Sequence, residues 1–245
     1  MIVHTSAIVF KSVDYQESSK IVTLFTKEHG KMAVIVRGVK KQKSKFSGLI
    51  EVGNLLDVVY YHKDSRSVQI LTEASLLEKT LNLRMDFEKM ATAMSALELI
   101  SQLLHEGEVN IPLFKFTKKF LLWLDQSEDN PHQIFPYLQI KLAGLIGLGL
   151  QLETDLSKEE AHFFNIESGY ISSANTGSHS YKLSQDQFLY VTLALQARGA
   201  RVFDISFSNG ELKELIRYFD RYLKYHVEGL RDRKSDAIFE QILQD

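Results

Sequence analysis

Two hydrophobic periods divide the chain, and the change between them falls near Leu77. Before it, apolar positions mostly alternate with polar ones and β-branched and aromatic types dominate, the pattern of half-buried strands. Ile2 to Val13 opens the series, and Ile21 to Phe25 runs into His29-Gly30, a turn. Met32 to Val36 leaves that turn as a third strand. Leu55 to Tyr61 and Ser67 to Leu71 supply two more across the tight connection Lys63-Asp64-Ser65. About five short strands with one long loop are what a small OB-type barrel needs. An SH3-like barrel gives a similar count, and periodicity leaves both open.

Beyond Leu77 the period becomes about 3.6. Phe87, Met90, Ala91, Met94, Leu97, Ile100 and Leu104 trace one apolar stripe; Leu113, Phe116, Phe120 and Leu124 trace another, opened by Asn110 and Pro112. Ser127 to Pro131 is a polar break. Ile134 to Leu150 is apolar on nearly every side and predicts a central buried helix. Residues 151–182 are polar and loop-rich, with a short helix expected near Ser157 to Phe164. Phe188 to Gln196 is helical. Leu212, Leu215, Ile216, Phe219, Leu223, Val227 and Leu230 predict a long amphipathic helix, and Ala237 to Leu243 a last short turn. The expected fold is therefore α+β: a five-stranded barrel over residues 1–80, then a helical domain over 81–245 with a loop-rich insert at 151–182.

Charge sharpens this division. The net charge of −2 does not by itself suggest a polyanionic partner. Residues 1–80, however, hold 12 Lys/Arg against 8 Asp/Glu, whereas the remainder holds 17 against 23. A basic end on an acidic body points a polyanion at the barrel. The absence of cysteine removes disulfides, thiolate metal sites and a thiol nucleophile together, and fits a reducing compartment. No signal-peptide pattern opens the chain, and the most apolar stretch carries Lys141 and is shorter than a spanning helix. A soluble cytoplasmic protein is expected.

The sharpest chemical feature is the loop after the third strand, where Arg37, Lys40, Lys41, Lys43 and Lys45 place five cations in nine residues with no acid among them. Gly38, Ser44 and Ser47 are expected to leave the backbone mobile, so that long cationic side chains can follow phosphates without fixed register. Phe46, next in line, is either a ring that stacks on an exposed base or the apolar anchor that seats the loop on the barrel. Lys11, Lys20, Lys31 and Arg66 are candidate neighbours on the barrel. A second set, Lys213, Arg217, Arg221 and Lys224, shares one helical stripe, followed by Arg231, Arg233 and Lys234. Asp220 lies within that stripe, where it can pair with Lys224, so the stripe also fits a solvated face. A third group sets Lys115, Lys118 and Lys119 beside Phe114, Phe116 and Phe120. It offers the cations and aromatics needed by a pocket for an acidic tail ending in an aromatic residue, unless the rings are simply core.

Catalytic signatures are missing: there is no phosphate-binding Gly-x-x-x-x-Gly-Lys-Ser/Thr run, no His-Glu-x-x-His and no Gly-x-Ser-x-Gly. The eight histidines lack metal-ligand spacing. Neither an enzyme, a cofactor nor a metal is expected.

Several runs in order resemble the RecO family of recombination mediators. They are Thr5-x-Ala7-Ile8-Val9, Tyr15-x-Glu17-Ser18-x-Lys20-Ile21, Phe25-Thr26-x-Glu28-x-Gly30-Lys31 and Arg37-Gly38-Val39-Lys40-x-x-Lys43-Ser44-Lys45-Phe46. Glu73 and Leu77 match the exit from that family's barrel, and Tyr222-Leu223-x-Tyr225-His226-x-x-Gly229-Leu230-Arg231-x-x-Lys234-Ser235 its C-terminal signature. The resemblance implies an OB-fold followed by helices, and a bacterial, nucleoid-associated protein. It further implies binding to single- and double-stranded DNA and annealing of complementary strands. The implied partners are RecR and the acidic tail of the single-strand DNA-binding protein, the joint task being to help load RecA onto coated strands. A protein-interaction adaptor, touching DNA only through partners, is the competing reading. One departure stands out. Many family members carry a four-cysteine zinc module where this chain has residues 151–180, so zinc is not expected and packing by Phe163, Phe164, Ile166 and Tyr170 must serve instead.

Overall fold

In a computed structural model of the chain, β1 (Ile2–Tyr15), β2 (Ser19–Thr26), β3 (Gly30–Val36), β4 (Leu55–Tyr61) and β5 (Val68–Glu78) close into a barrel in the order β1-β2-β3-β5-β4. The structure describes residues 1–127, 133–154, 161–196, 199–206 and 208–235. β4 closes against β1 (Ile2 opposite Tyr61, Ile8 opposite Leu55), and β5 runs parallel to β3 (Ala33 opposite Val68, Ile35 opposite Ile70). That parallel pair and strand order are those of an OB-fold and decide between the two barrels that periodicity leaves open. Contacts divide the chain into two compact units, residues 1–128 and 129–245.

In the first unit, Val3, Ala7, Val9, Val22, Leu24, Val34, Val36, Leu56, Val58, Tyr60 and Leu71 fill the barrel. The alternation lapses at Ala7-Ile8-Val9-Phe10, where four consecutive residues are buried. One face of this stretch enters the barrel and the other lies under the helices. Phe10 packs on Phe25, and Phe25 meets Phe114 edge-on at 5.4 Å. The helices are α1 (Leu81–Met85), α2 (Phe87–Leu103) and α3 (Ile111–Gln126). Asp86 caps α2 by accepting from Glu88 and Lys89 N–H, and Asn110 caps α3 by accepting from Leu113 N–H. At Gly30 the barrel and the segment after α2 nearly touch. φ is +67°, and a Cβ there would stand 2.2 Å from the Glu108 carbonyl oxygen, so only glycine fits.

The second unit is built on α4 (Ile134–Leu145), which buries Ile134, Phe135, Leu138, Ile140, Leu142 and Ala143. Around it stand α5 (Gln185–Leu195) and α6 (Asn209–His226), with a 3-10 turn at Gly199–Asp204. Capping boxes at Ser184/Gln187 and Ser208/Glu211 start α5 and α6. α6 ends at His226, short of the Leu230 that the apolar pattern predicts. Gly229 at φ +79° turns the chain so that Arg233 folds back onto the helix.

The insert carries a small sheet of order β6-β8-β7-β9: β6 (Gln151–Leu152), β7 (His162–Asn165), β8 (Tyr170–Ser172) and β9 (Ser180–Leu183). The helix expected near Ser157 to Phe164 is not formed at 162–164. There β7 buries Phe164 against Phe219 and Tyr222, and positions 157–160 of that expected helix lie outside the described residues. Phe164, Ile166 and Ile171 hold the sheet as core residues, whereas Tyr170 is 45% exposed and does not. Asn165 supplies the rest. Its Oδ1 accepts from Glu167 N–H (3.0 Å) and Ser168 N–H (2.9 Å), and its Nδ2 donates to Thr176 (3.0 Å) and Ser180 (3.2 Å). These oxygens and amides are no zinc ligand set, and among the described residues no three His, Asp or Glu side chains converge as metal ligands. The zinc module of the resembling family therefore does not fit here. Ala237 to Leu243 and most of the Ser127–Pro131 break lie outside the described residues.

Candidate nucleic-acid interface

The loop joining β3 to β4 is wound rather than slack. Successive turns run through it, with Lys41 N–H bonded to the Gly38 carbonyl, Ser44 N–H to Lys41 and Ser47 N–H to Ser44. Phe46 and Ile50 are buried in the barrel core beside Val39 and Leu49. Asn54 Nδ2 clasps the carbonyls of Gly48 (2.9 Å) and Leu49 (2.7 Å). Phe46 is thus the anchor and not a stacking ring, and the mobile backbone expected from Gly38, Ser44 and Ser47 is replaced by a seated platform.

The five cations divide by partner. Lys40 pairs with Asp14 at 2.6 Å, and that hydrogen bond holds the Asp14 carboxyl below its ordinary range. Lys45 donates to the Thr72 carbonyl on β5 at 2.7 Å and lies over the Phe46 ring. Arg37, Lys41 and Lys43 are exposed and have no ion-pair partner among the described residues. Lys43 holds φ at +64°.

Register places the other barrel cations. Lys20 lies opposite both Asp14 and Val36, at the loop's end of the barrel, and Lys11 is exposed beside a bulge on β1. Lys31 and Arg66 do not join them. Lys31 pairs with Phe25, and Arg66 precedes by two residues the Val68 that faces Ala33, so both sit about 20 Å from Arg37 along β3. Lys31 is moreover consumed: its Nζ donates to the carbonyls of Ser101 (2.7 Å) and Leu104, at the C-terminal end of α2, and burial lowers its pKa. A cation there complements the helix dipole. Lys31 is engaged as a structural cap of α2.

On α6 the stripe is real and its pairing differs from expectation. Asp220 is held by Arg233, not Lys224: the guanidinium makes two bonds to it, 2.7 and 2.8 Å, and lies over the Phe135 ring. Gln139 adds a third bond at 2.8 Å. With its side chain 5% exposed, Arg233 is an internal tie and leaves the predicted DNA set. Lys224 pairs with Asp232 instead. Arg217, Arg221, Arg231 and Lys234 are exposed, Lys213 half-buried.

On α3, Phe114 and Phe120 are core, and Lys118 is tied to Glu78 at 3.1 Å. Phe120 therefore cannot line an open pocket. Lys115 and Lys119 are exposed and Phe116 half-buried. The flanks of this stripe do not stand out in the sequence as part of a pocket. Ile111 and Trp123, at the same four-residue spacing, are 39% and 37% exposed. Their regular spacing after Asn110 was the available signal.

A closed OB barrel carrying a basic, core-anchored loop and followed by helices defines the class, an OB-barrel protein with a helical C-terminal part; among the described residues no helix is long and apolar enough to cross a membrane. Family comparison makes it particular. Residues 1–80 match the model for the recombination protein O N terminal region and residues 84–236 that for its C terminal region. The chain belongs to the RecO family. Its relatives include proteins named DNA repair protein RecO from Chloroherpeton thalassium (29% identical, over 99% of this chain and 100% of the relative) and Pelodictyon phaeoclathratiforme (28%, over 99% of each). That of Chlorobium limicola is 37% identical over 62% of this chain and 59% of its own.

Proposed function

We infer that the chain is a DNA repair and recombination mediator that binds single- and double-stranded DNA, anneals complementary strands and, with RecR, helps load RecA onto coated single strands. The observation that carries this is the loop: Arg37, Lys41 and Lys43 project from a platform nailed to the barrel core by Phe46 and Ile50. Two complementary strands repel each other. A fixed cationic surface lowers that repulsion and raises their local concentration without any bond chemistry. The acidic tail of the single-strand DNA-binding protein is assigned to the α3 stripe, where Lys115 and Lys119 offer charge and Ile111, Phe116 and Trp123 an apolar seat.

The test is fluorescence anisotropy of a labelled single strand over a salt series. The three loop cations whose charged groups have no partner among the described residues, Arg37, Lys41 and Lys43, give on single-stranded phosphates a log–log slope of about −2. Reversing Arg37, Lys41 and Lys43 to Glu, with folding checked by circular dichroism, reduces its magnitude by about 2. A native slope near zero overturns the loop assignment, and no binding by the native chain leaves the adaptor reading.

A further inference from the structure

The second unit presents a surface that the stripe of cations alone does not explain. β9 is the edge strand of the small sheet, and α6 lies beside it. Tyr218, Arg221 and Tyr225 follow one another at three- and four-residue spacing on one side of α6, outside the buried row of Leu215, Phe219 and Tyr222. From β9 comes Tyr181, and from the turn just before it His179. Tyr181 stacks on Tyr218 with ring centres 4.7 Å apart and planes 29° off parallel, and the Arg221 guanidinium lies 5.2 Å over Tyr181. Tyr225 meets His179 at 6.1 Å and His226 at 5.1 Å, yet is 53% exposed.

A merely solvated helix face is served by Lys and Glu at these positions. Here they hold rings and a guanidinium: Tyr181 and Tyr218 are half-buried against each other, and Arg221 and Tyr225 are exposed at the end of that stack. Cations border the rings: Lys182 on β9 and Arg217 and Lys224 on α6 are exposed. The acids nearby are mostly engaged. Glu167 pairs with His179 at 2.6 Å and Asp232 with Lys224, leaving Glu214 beside Tyr218 and the exposed Glu228 three residues after Tyr225. A ligand that matches has aromatic planes strung on an anionic backbone.

We propose that the Tyr181–Tyr218–Arg221–Tyr225 surface is a stacking platform for the unpaired bases of single-stranded nucleic acid, separate from the phosphate-gripping loop of the first unit. Bases continue the stack begun by the rings, and Arg221 and Arg217 meet the phosphates between them. A duplex, whose bases are already stacked, gains nothing from the rings. The proposal rests on the DNA-binding reading and adds to it a base-dependent term, which phosphate contacts alone do not give.

The experiment uses the full chain and a single strand carrying one 2-aminopurine, compared with a strand of equal length whose bases are replaced by abasic sites. Native protein is expected to quench the 2-aminopurine and to prefer the strand with bases. Tyr225→Ser should weaken single-strand binding about 5-fold or more, abolish the preference over abasic sites, and leave both the salt slope and duplex binding unchanged. Tyr225→Phe, which keeps the ring, should behave as native. Arg221→Gln should lose both quenching and part of the salt slope. If the native chain binds the strand but Tyr225→Ser retains native affinity, quenching and base preference, the platform is overturned while the loop assignment stands. If the native chain binds no strand at all, the DNA reading fails and the platform with it.

Discussion

Lys31 separates two accounts of the same residue. Its place on a basic barrel suggests a phosphate contact; its geometry makes it the cap of α2. Replacing it with Met keeps the stem and removes only the ammonium. Two charge-assisted hydrogen bonds to the Ser101 and Leu104 carbonyls are lost, together with the favourable cation at a helix C-terminus. Each such bond is worth about 1.5–3 kcal/mol. Burial of the ammonium, visible in its lowered pKa, offsets part of this, and water can reach the half-buried Ser101. A net loss of about 2 kcal/mol follows. For a unit of this size each kcal/mol moves the melting temperature by about 3–4 °C, so Lys31→Met should melt about 7 °C lower. Trp123 is the chain's only tryptophan and lies in the first unit, so its fluorescence follows that unit alone. Single-strand affinity of the folded variant should stay native and its salt slope unchanged, whereas loss of one phosphate contact reduces the slope by about 0.7. An unshifted melting temperature with a shallower slope would refute the cap and restore Lys31 to the DNA surface.

Three further outcomes follow from the same structure. Gly30→Ala forces a Cβ onto the Glu108 carbonyl at positive φ and should cost about 2 kcal/mol or more in urea unfolding followed by Trp123. Arg233→Met strands the Asp220 carboxylate and should destabilise the second unit by about 3–5 kcal/mol in thermal circular dichroism, while the double replacement Arg233→Met/Asp220→Leu recovers most of it; equal losses in both would show that the pair is not the cause. Glu211 has its carboxyl pKa lowered, first by the Ser208 hydroxyl and then by Ser184. Its stabilisation is therefore present in full above the unfolded value of about 4.3 and lost as pH falls through the lower folded value. Glu211→Gln, which keeps the capping geometry, should flatten that acid-side loss in a pH series of thermal melts.

What the sequence reveals depends on how local the cause is. The barrel strands are legible because each buries one face and so alternates, and α2 and α3 because their stripes and caps lie within a few residues of one another. Only the choice of barrel needed a long-range fact, the parallel pairing of β3 with β5. The basic loop is equally plain as composition. Its anchoring is not: Phe46 reads as ring or anchor until the core that receives it is known.

The cations show the limit most clearly, because charge is written in the sequence and its partner is not. Lys40, Lys45 and Arg233 stand in basic runs and Lys31 on a basic barrel, yet their partners lie from 13 to 73 residues away: Asp220 for Arg233, Asp14 for Lys40, Thr72 for Lys45, and Ser101 and Leu104 for Lys31. A run of lysines therefore overstates a phosphate-binding surface by the number of members that the fold employs. The insert fails in the other direction. Without cysteine its polar Ser/Asn composition looks like loop, since the pattern gives no strand longer than four residues. Its order comes from Asn165, one amide that joins the β7–β8 turn to Thr176 and Ser180 across the sheet. A zinc ion bound by four thiolates ties such a sheet at one point from several chain positions. An amide with one acceptor oxygen and two donor hydrogens can do the same work for short strands, provided that the apolar side of the sheet is covered. Here Phe164, Ile166 and Ile171 cover it.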